Sequence, residues 1–332
     1  MRISIGVPPG PHARRIALLA EELGYDRVWL YDSAALYEDL WIHMGAIAEA
    51  TERIGLGTAV LVPNLRHVMT TASAIATIAR LAPGRLACAI GTGFTARLVL
   101  GQKALPWSTV RRYVLQLKGL LRGDVVEIDG QPCQMIHHPQ LAASRPIDVP
   151  ILLSAFGPKG LAIAREIADG WIGIAPPAER FEVAVQMVNG SVLEPGESRS
   201  SARVVDAAGP WHAVVYHGIW TGSPEAVDAM PGGAAWRARV EADRPEGQRH
   251  LAVHEGHCTH VTDRDRLIFD ALSKAPGGEV PWMGLVGPAE DVRKRVEAFA
   301  AAGVSEILYT PAGSDLARET RAFYDAVSSL QG

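Results

Sequence analysis

Runs of apolar residues alternate with amphipathic stretches along most of the chain. The clearest example is residues 54–93, IGLGTAVLVPNLRHVMTTASAIATIARLAPGRLACAIGTG. Two parts of it, Ile54–Val62 and Arg85–Ile90, are apolar at nearly every position, which is typical of strands buried on both faces of a parallel sheet. Between them, Val68–Leu81 has the period of a helix and is bounded by Pro-Asn and Pro-Gly. The stretch therefore predicts one complete βαβ unit.

The same alternation of strands and helices continues through the chain. Further strands are predicted at Ile3–Val7, Arg27–Tyr31, Val149–Ser154, Asp169–Ile174, His212–Tyr216 and Glu306–Thr310, with Val204–Asp206 as an alternative to His212–Tyr216. Further helices are predicted at His12–Leu23, Leu40–Ala50, Thr109–Leu121, Lys159–Ala168, from Pro176 to about Asn189, Pro288–Ala302 and Asp315–Leu330. Eight strands that alternate with helices, with no linker between them, predict a single-domain α/β protein with a TIM (β/α)8 barrel.

Two segments depart from the alternation and are expected to be insertions on the barrel. Residues 124–135, DVVEIDGQPCQM, have Asp-Gly between two short strand-like runs, which indicates a small hairpin on the rim. Residues 221–281 lose the helical period, and long irregular segments of barrels often form lids or substrate walls. The second segment is therefore expected to be lid-like.

Composition and charge narrow the class of protein. The chain has 332 residues, 48% of them hydrophobic, and its net charge of −4 makes nucleic acid and anionic membranes poor partners. Its three cysteines lie far apart, which favours a reducing compartment, and no apolar run reaches the length of about 18 residues that a membrane span needs. The start of the chain, MRISIGVPPG, resembles a strand and not a signal peptide, so we expect a cytoplasmic protein.

Candidate chemistry follows from the rule that parallel barrels bind ligands at the carboxyl ends of their strands. Gly91-Thr92-Gly93 follows one strand and could bring its backbone close to a ligand, or merely turn the chain. Asp32 follows another strand and is either a catalytic or a turn residue. His43, in the first turn of a helix capped by Asp39, lines a pocket or simply packs. Lys159, next to Pro158 at a helix start, is either an anion site or a solvated lysine.

A cluster of histidines lies inside the irregular segment. Residues 250–260, HLAVHEGHCTH, contain four histidines and one cysteine. Zinc is chemically possible, but the spacing matches neither a zinc finger nor HExxH, and Gly256 would interrupt a helix that places the histidines on one face. Structural histidines, lining of a substrate pocket and metal binding therefore all stay open, and no metal is assigned.

Several motifs, in order along the chain, resemble the bacterial luciferase-like monooxygenase superfamily. They are LGYDRVWLYD, IGLGTAVLVPNLRH, APGRLACAIGTG, PILLSAFGPKGLAIAREIADGWI and the Gly-Pro-Ala-Glu start of the helix before the last strand. The Gly-Pro-Lys turn and the helix STVRRYVLQLKGLL are most similar to the deazaflavin-dependent branch, which includes methylenetetrahydromethanopterin reductase. The resemblance implies coenzyme F420 as cofactor, whereas the other main branch uses FMN. It also implies a homodimer.

The resemblance also implies roles for individual residues. Ala59-Val60 matches a non-prolyl cis peptide behind the cofactor ring, and Asp32 matches an acidic residue at the pyrimidine edge of that ring. The remaining cofactor-binding residues are Gly91, Thr92 and Gly93 against the cofactor tail, and Ser154, Ala155, Gly157, Pro158 and Lys159 on its phosphate side.

Two departures from the branch bear on the reaction. Ser33 stands where many members have histidine, and Phe94-Thr95 stand where the sugar-phosphate dehydrogenases have acidic residues, which argues against glucose 6-phosphate. The sequence therefore predicts an F420-dependent oxidoreductase that transfers a hydride to or from an unidentified small organic substrate. Asp32 would tune the ring, and His43 or a histidine of the cluster such as His257 would handle the proton. The alternatives are an FMN-dependent monooxygenase that uses molecular oxygen, a barrel that binds cofactor without turnover, and a zinc-dependent hydrolase.

Overall fold

A computed structural model describes residues 1–274 and 279–332. They form two compact units. The first unit contains Met1–Ala96, Lys103–Met187 and Ala302–Leu308; the second contains Arg97–Gln102, Val188–Ala301 and Tyr309–Gly332. The single-domain assignment stays a prediction.

Eight of the strands in the described residues close into the predicted barrel, in the order β1-β12-β9-β8-β7-β4-β3-β2. The strands are β1 (Arg2–Val7), β2 (Arg27–Leu30), β3 (Gly55–Leu61), β4 (Leu86–Gly91), β5 (Val126–Ile128), β6 (Gln131–Cys133), β7 (Ile151–Ser154), β8 (Gly170–Gly173), β9 (Ala184–Val188), β10 (Gly190–Val192), β11 (Leu285–Gly287) and β12 (Glu306–Tyr309). Strands β5 and β6 form an antiparallel hairpin at Asp129-Gly130, as the Asp-Gly pair predicts, and β10 pairs in parallel with β11. The fold class is therefore confirmed.

The helices in the described residues follow the predicted pattern in the first half of the chain. They are α1 (Ala13–Leu23), α2 (Leu40–Ala50), α3 (Val68–Leu81), α4 (Phe94–Leu98), α5 (Trp107–Arg122), α6 (Pro158–Ile167), α7 (Ala202–Gly222), α8 (Gly233–Asp243), α9 (Arg249–Val253), α10 (Asp263–Ser273), α11 (Ala289–Ala301) and α12 (Leu316–Val327), with short 3-10 helices at Pro224–Ala229, Glu246–Gln248 and Ser328–Leu330. None of the helices in residues 1–274 and 279–332 is both long and apolar enough to cross a membrane.

A buried carboxylate joins three strands of the barrel. Glu306, at the start of β12, is fully buried and accepts hydrogen bonds from Ser4 Oγ at 2.6 Å and Trp29 Nε1 at 2.9 Å. It also pairs with Arg2 at 3.1 Å and Arg27 at 3.2 Å, so the two arginines neutralise the charge that burial would otherwise make costly. These contacts hold β1, β2 and β12 together.

Two predictions about the middle of the chain are wrong. The helix predicted from Pro176 to about Asn189 is absent, and the seventh barrel strand is β9, at Ala184–Val188. Four of the five residues of β9 are buried, which is typical of a strand covered on both faces, whereas Pro-Pro had been interpreted as a helix start. His212–Tyr216, and equally Val204–Asp206, belong to the long helix α7, whose N-cap Ser201 accepts a hydrogen bond from Val204 N.

The second unit has a core of its own between α7, α8, α9 and α10. Its largest buried side chains are Trp236, Tyr216 and Phe269. Helices α8 to α10 occupy much of the segment 221–281 that was predicted to be irregular and lid-like. Residues 275–278 of that segment lie outside the described residues, and its role as a lid stays a prediction.

Candidate functional site

The ends of β3, β4 and β7 meet at one point of the first unit. Gly91, the last residue of β4, is level with Ser154, the last residue of β7. A Cβ atom added to Gly91 would lie 2.8 Å from Val60 Cγ2 and 3.4 Å from Ser154 Cβ. Contacts shorter than 3 Å are not tolerated without movement, so only glycine at position 91 lets these strand ends pack this closely. The three strand ends that the sequence analysis assigned to one ligand therefore lie together.

The backbone on either side of this point has unusual geometry. The peptide bond between Ala59 and Val60 is cis, at the position that the resemblance implies, and the register of β3 against β4 shifts between Thr58 and Leu61. Beyond β4, Thr92 O accepts a hydrogen bond from Leu105 N at 2.8 Å, and Gly93 has a φ of 83°. Positive φ suits glycine, so this residue lets the chain turn away directly after the strand.

The start of α6 provides backbone donors next to β7. Gly157 is the N-cap of this helix and makes no side-chain cap, and Pro158 occupies the first turn. Lys159 is exposed beside it, while Ala155 is buried and its carbonyl accepts from Trp171 Nε1 at 2.7 Å. An uncapped helix start with a neighbouring lysine is chemically suited to a phosphate group.

Asp32 follows β2 and is held by an arginine that the sequence analysis did not identify. Only 4% of Asp32 is exposed, and both of its carboxylate oxygens accept hydrogen bonds from Arg66 Nη1 at 2.7 Å. Arg66 Nη2 donates to Asp39 Oδ2, also at 2.7 Å, and Asp39 caps α2 as predicted by accepting from Trp41 N. One guanidinium therefore ties the loops after β2 and β3 to the start of α2.

Burial and the charge of Arg66 shift the pKa values of Asp32 and Asp39 in opposite directions. Burial raises the pKa of the Asp32 carboxyl, and the adjacent Arg66 opposes that shift without cancelling it. The pKa of Asp39 is lowered because its hydrogen bonds and charge pairing with Arg66 outweigh desolvation, the largest single effect. Arg66 was detectable in the sequence as the cation in the loop after β3, since β2 and β3 are neighbours in a barrel.

A cavity of about 370 Å³ opens beside Arg66. It lies between the loop after β3, with Asn64 and His67, helix α5, with Arg112 and Tyr113, and the turn of the β5–β6 hairpin at Asp129. Its volume is within the range of small-molecule sites.

The predicted catalytic histidines lie in different units. His43 is in the first turn of α2, in the first unit, and its Nε2 is 2.6 Å from Glu38 Oε2. His257 belongs to the second unit and is buried, with its Nδ1 at 2.8 Å from His217 Nδ1. His254 packs against both rings. This burial favours the structural interpretation of the cluster, and His257 as a catalyst stays a prediction.

No metal-binding arrangement is found in the part of the chain that the structure describes. Within residues 1–274 and 279–332, no group of three or more His, Cys, Asp or Glu side chains could hold a metal ion.

Comparison with known proteins gives consistent similarities. A family model described as luciferase-like monooxygenase matches residues 4–306. A 5,10-methylenetetrahydromethanopterin reductase of Archaeoglobus fulgidus is 26% identical over 90% of this chain and 89% of its own length. A protein of the same name from Methanolobus tindarius is 32% identical, but the match covers only 54% of this chain and 55% of that relative, so the chain spans about half of its length. The solved structure of the coenzyme F420 dependent tetrahydromethanopterin reductase from Methanopyrus kandleri has the same fold, with a TM-score of 0.66 at 20% identity over 100% of this chain and 99% of that one.

Proposed function

Because the chain belongs to the luciferase-like monooxygenase family, we propose that it is an oxidoreductase that uses coenzyme F420 to exchange a hydride with a small organic substrate. Two relatives that this chain matches over most of their length are named as a 5,10-methylenetetrahydromethanopterin reductase and a putative coenzyme F420-dependent oxidoreductase. The single structural observation that supports the proposal is the convergence of three neighbouring strand ends, at Val60, Gly91 and Ser154, on one point of the first unit.

The residues at these strand ends suit a ring that carries a phosphate-bearing tail. Val60 would contact the ring, which would lie at the strand ends where Gly91 carries no side chain. Ser154 and the backbone of residues 155–157 would line the tail, and Lys159 with the free N–H groups at the start of α6 would bind the phosphate. When bound, F420 supplies the carbon that accepts or releases the hydride.

The protein would bind and orient the cofactor. Asp32, fixed by Arg66, would accept a hydrogen bond from an N–H group at the edge of the ring. His43 is the proposed proton carrier in the first unit, since its contact with Glu38 fixes the ring of the histidine. The substitutions His43→Ala and His257→Ala, made separately, test the two assignments. A histidine whose replacement leaves turnover unchanged is not catalytic.

The proposed F420-dependent reaction and the FMN-dependent alternative can be distinguished by the absorbance of F420 and by oxygen uptake. An F420 enzyme bleaches oxidised F420, or restores its colour, in stoichiometric amounts with a substrate and without consuming oxygen. An FMN-dependent monooxygenase takes up oxygen when FMN and NAD(P)H are supplied. Oxygen uptake with FMN, together with unchanged F420 absorbance across a substrate panel, would contradict the proposal.

Assembly and location are also proposals. The resemblance supports a homodimer, which light scattering at several protein concentrations would test. A cytoplasmic location is supported by three dispersed cysteines, none of them in a disulfide among the described residues.

A further inference from the structure

Three large apolar side chains are exposed at the ends of three neighbouring barrel strands. Phe94 lies three residues beyond β4 and is 53% exposed, Phe156 lies two residues beyond β7 and is 61% exposed, and Ile174 directly follows β8 and is 67% exposed. Strands β4, β7 and β8 are consecutive in the barrel, and all three residues belong to the first unit.

One side-chain contact and the strand register place the ends of these strands side by side. The Phe156 ring reaches β8, because its Cε1 lies 3.1 Å from the position of a Cβ on Gly173, the residue before Ile174. The ends of β4 and β7 are level, since Gly91 is paired with Ser154. The exposed side chains therefore follow the ends of adjacent strands, two of which, β4 and β7, converge at Gly91 and Ser154.

The residues next to each of these side chains carry no charge. Residues 92–96, 155–157 and 174–178 read TGFTA, AFG and IAPPA. Single exposed apolar residues are common on protein surfaces. Three of them at adjacent strand ends, on the face of a barrel where ligands bind, instead indicate a binding surface. A polyhydroxylated or ionised substrate would find no hydrogen-bonding side chain here except Thr92 and Thr95.

We propose that the substrate is an uncharged, predominantly apolar small molecule whose apolar part packs on Phe94, Phe156 and Ile174. This inference rests on the proposed function, because the cofactor ring would lie at the adjacent point of Val60, Gly91 and Ser154. Lys159 stays available for the cofactor phosphate and is not needed by such a substrate.

The experiment uses the F420-loaded protein and two probes, 2-octanone and glucose 6-phosphate. F420 affinity is measured first, and each probe is then titrated by calorimetry and by the change in cofactor fluorescence. We expect 2-octanone to saturate with a dissociation constant at least tenfold below that of glucose 6-phosphate. The substitution Ile174→Ser, and separately Phe94→Ser, should weaken 2-octanone binding at least fivefold and change F420 affinity less than threefold.

Ile136 offers a matched control, because it is 85% exposed and lies in the loop after the β5–β6 hairpin. Ile136→Ser should change neither affinity. The proposed substrate class is overturned if Ile136→Ser and Ile174→Ser have equal effects on 2-octanone binding, or if glucose 6-phosphate binds more tightly than 2-octanone. In either case, binding of F420 would still support the proposed function. Failure of the wild-type protein to bind F420 refutes both.

Discussion

Mild acid should destabilise the second unit through three buried histidines. The rings of His217, His254 and His257 lie 5.1 to 5.9 Å apart, and Trp236 stacks on His217. Burial, followed by the charge of His254, lowers the pKa of His257 to about 3, and burial also lowers the pKa values of His217 and His254. Arg264 adds a positive charge near His217. The folded protein therefore keeps these rings neutral in mild acid.

The sign and size of the effect follow from proton linkage. An unfolded histidine titrates near pH 6.5, so below that pH the unfolded state binds protons that the folded state does not, and the stability is lost as the pH falls. For a group with a folded pKa of about 3, lowering the pH from 7 to 5 removes about 2 kcal/mol from the free energy of unfolding. Three such histidines give an upper limit of about 6 kcal/mol.

Urea unfolding between pH 5 and pH 7, followed by tryptophan fluorescence, measures this loss. The double substitution His217→Gln and His257→Gln should reduce the loss in the free energy of unfolding between pH 7 and pH 5 by about 4 kcal/mol. His12→Gln is the control, since His12 is exposed and its loss should leave the slope unchanged. An equal slope in the double variant and the wild type would refute the reasoning.

Three further substitutions test the first unit. Glu306→Ala leaves Arg27, whose side chain is largely buried, without its partner and should lower the free energy of unfolding by about 3–5 kcal/mol, measured by urea denaturation. Gly57→Ala places a Cβ 2.3 Å from the Trp29 ring and should cost about 1–3 kcal/mol or more in the same assay. Arg66→Gln removes the partner of Asp32 and should weaken F420 binding at least tenfold at pH 6. Binding should recover in part at pH 9, because an unpaired buried carboxyl has a raised pKa and ionises only at higher pH.

Each of these substitutions has a matched control. Glu166→Gln removes an exposed carboxylate paired with Arg111 and should leave the urea midpoint unchanged, and Gly10→Ala meets no atom within 4 Å. Asp39→Asn keeps the contact between Arg66 and Asp32 and should preserve the pH dependence of F420 binding. An Arg66→Gln variant with the pH profile of the wild type would show that Arg66 does not control Asp32.

The first half of the fold was predictable because its signals are local. The bounds predicted for Val68–Leu81 and Leu40–Ala50 agree with α3 and α2, since clear turn residues and the Asp39 cap delimit them. The apolar runs around them were sufficient to identify buried parallel strands. Where the pattern was ambiguous, as at Val183–Val188, a short apolar run fits either a strand or a helix, and only tertiary packing decides.

The pairings that the sequence analysis did not predict join residues that are distant along the chain. Arg66 meets Asp32 across 34 positions, and His217 meets His257 across 40. His217 also lies in a helix whose Ala-Val-Val-Tyr run favours a strand by local propensity, so neither its element nor its partners were accessible. Gly91 was predicted to be a site residue because it ends a barrel strand, and Ser154 because of the family resemblance; both assignments stay predictions, and the structure shows only that the two residues are level.

Equilibrium binding of F420 and of FMN to the purified protein tests the central claim most directly. The account predicts that F420 binds at least tenfold more tightly than FMN, a difference of about 1.4 kcal/mol. It also predicts that Gly91→Val removes the binding, because a side chain at this position would collide with Val60 and displace the strand ends that would contact the ring. Tighter binding of FMN, or F420 binding that Gly91→Val leaves unchanged, would contradict it.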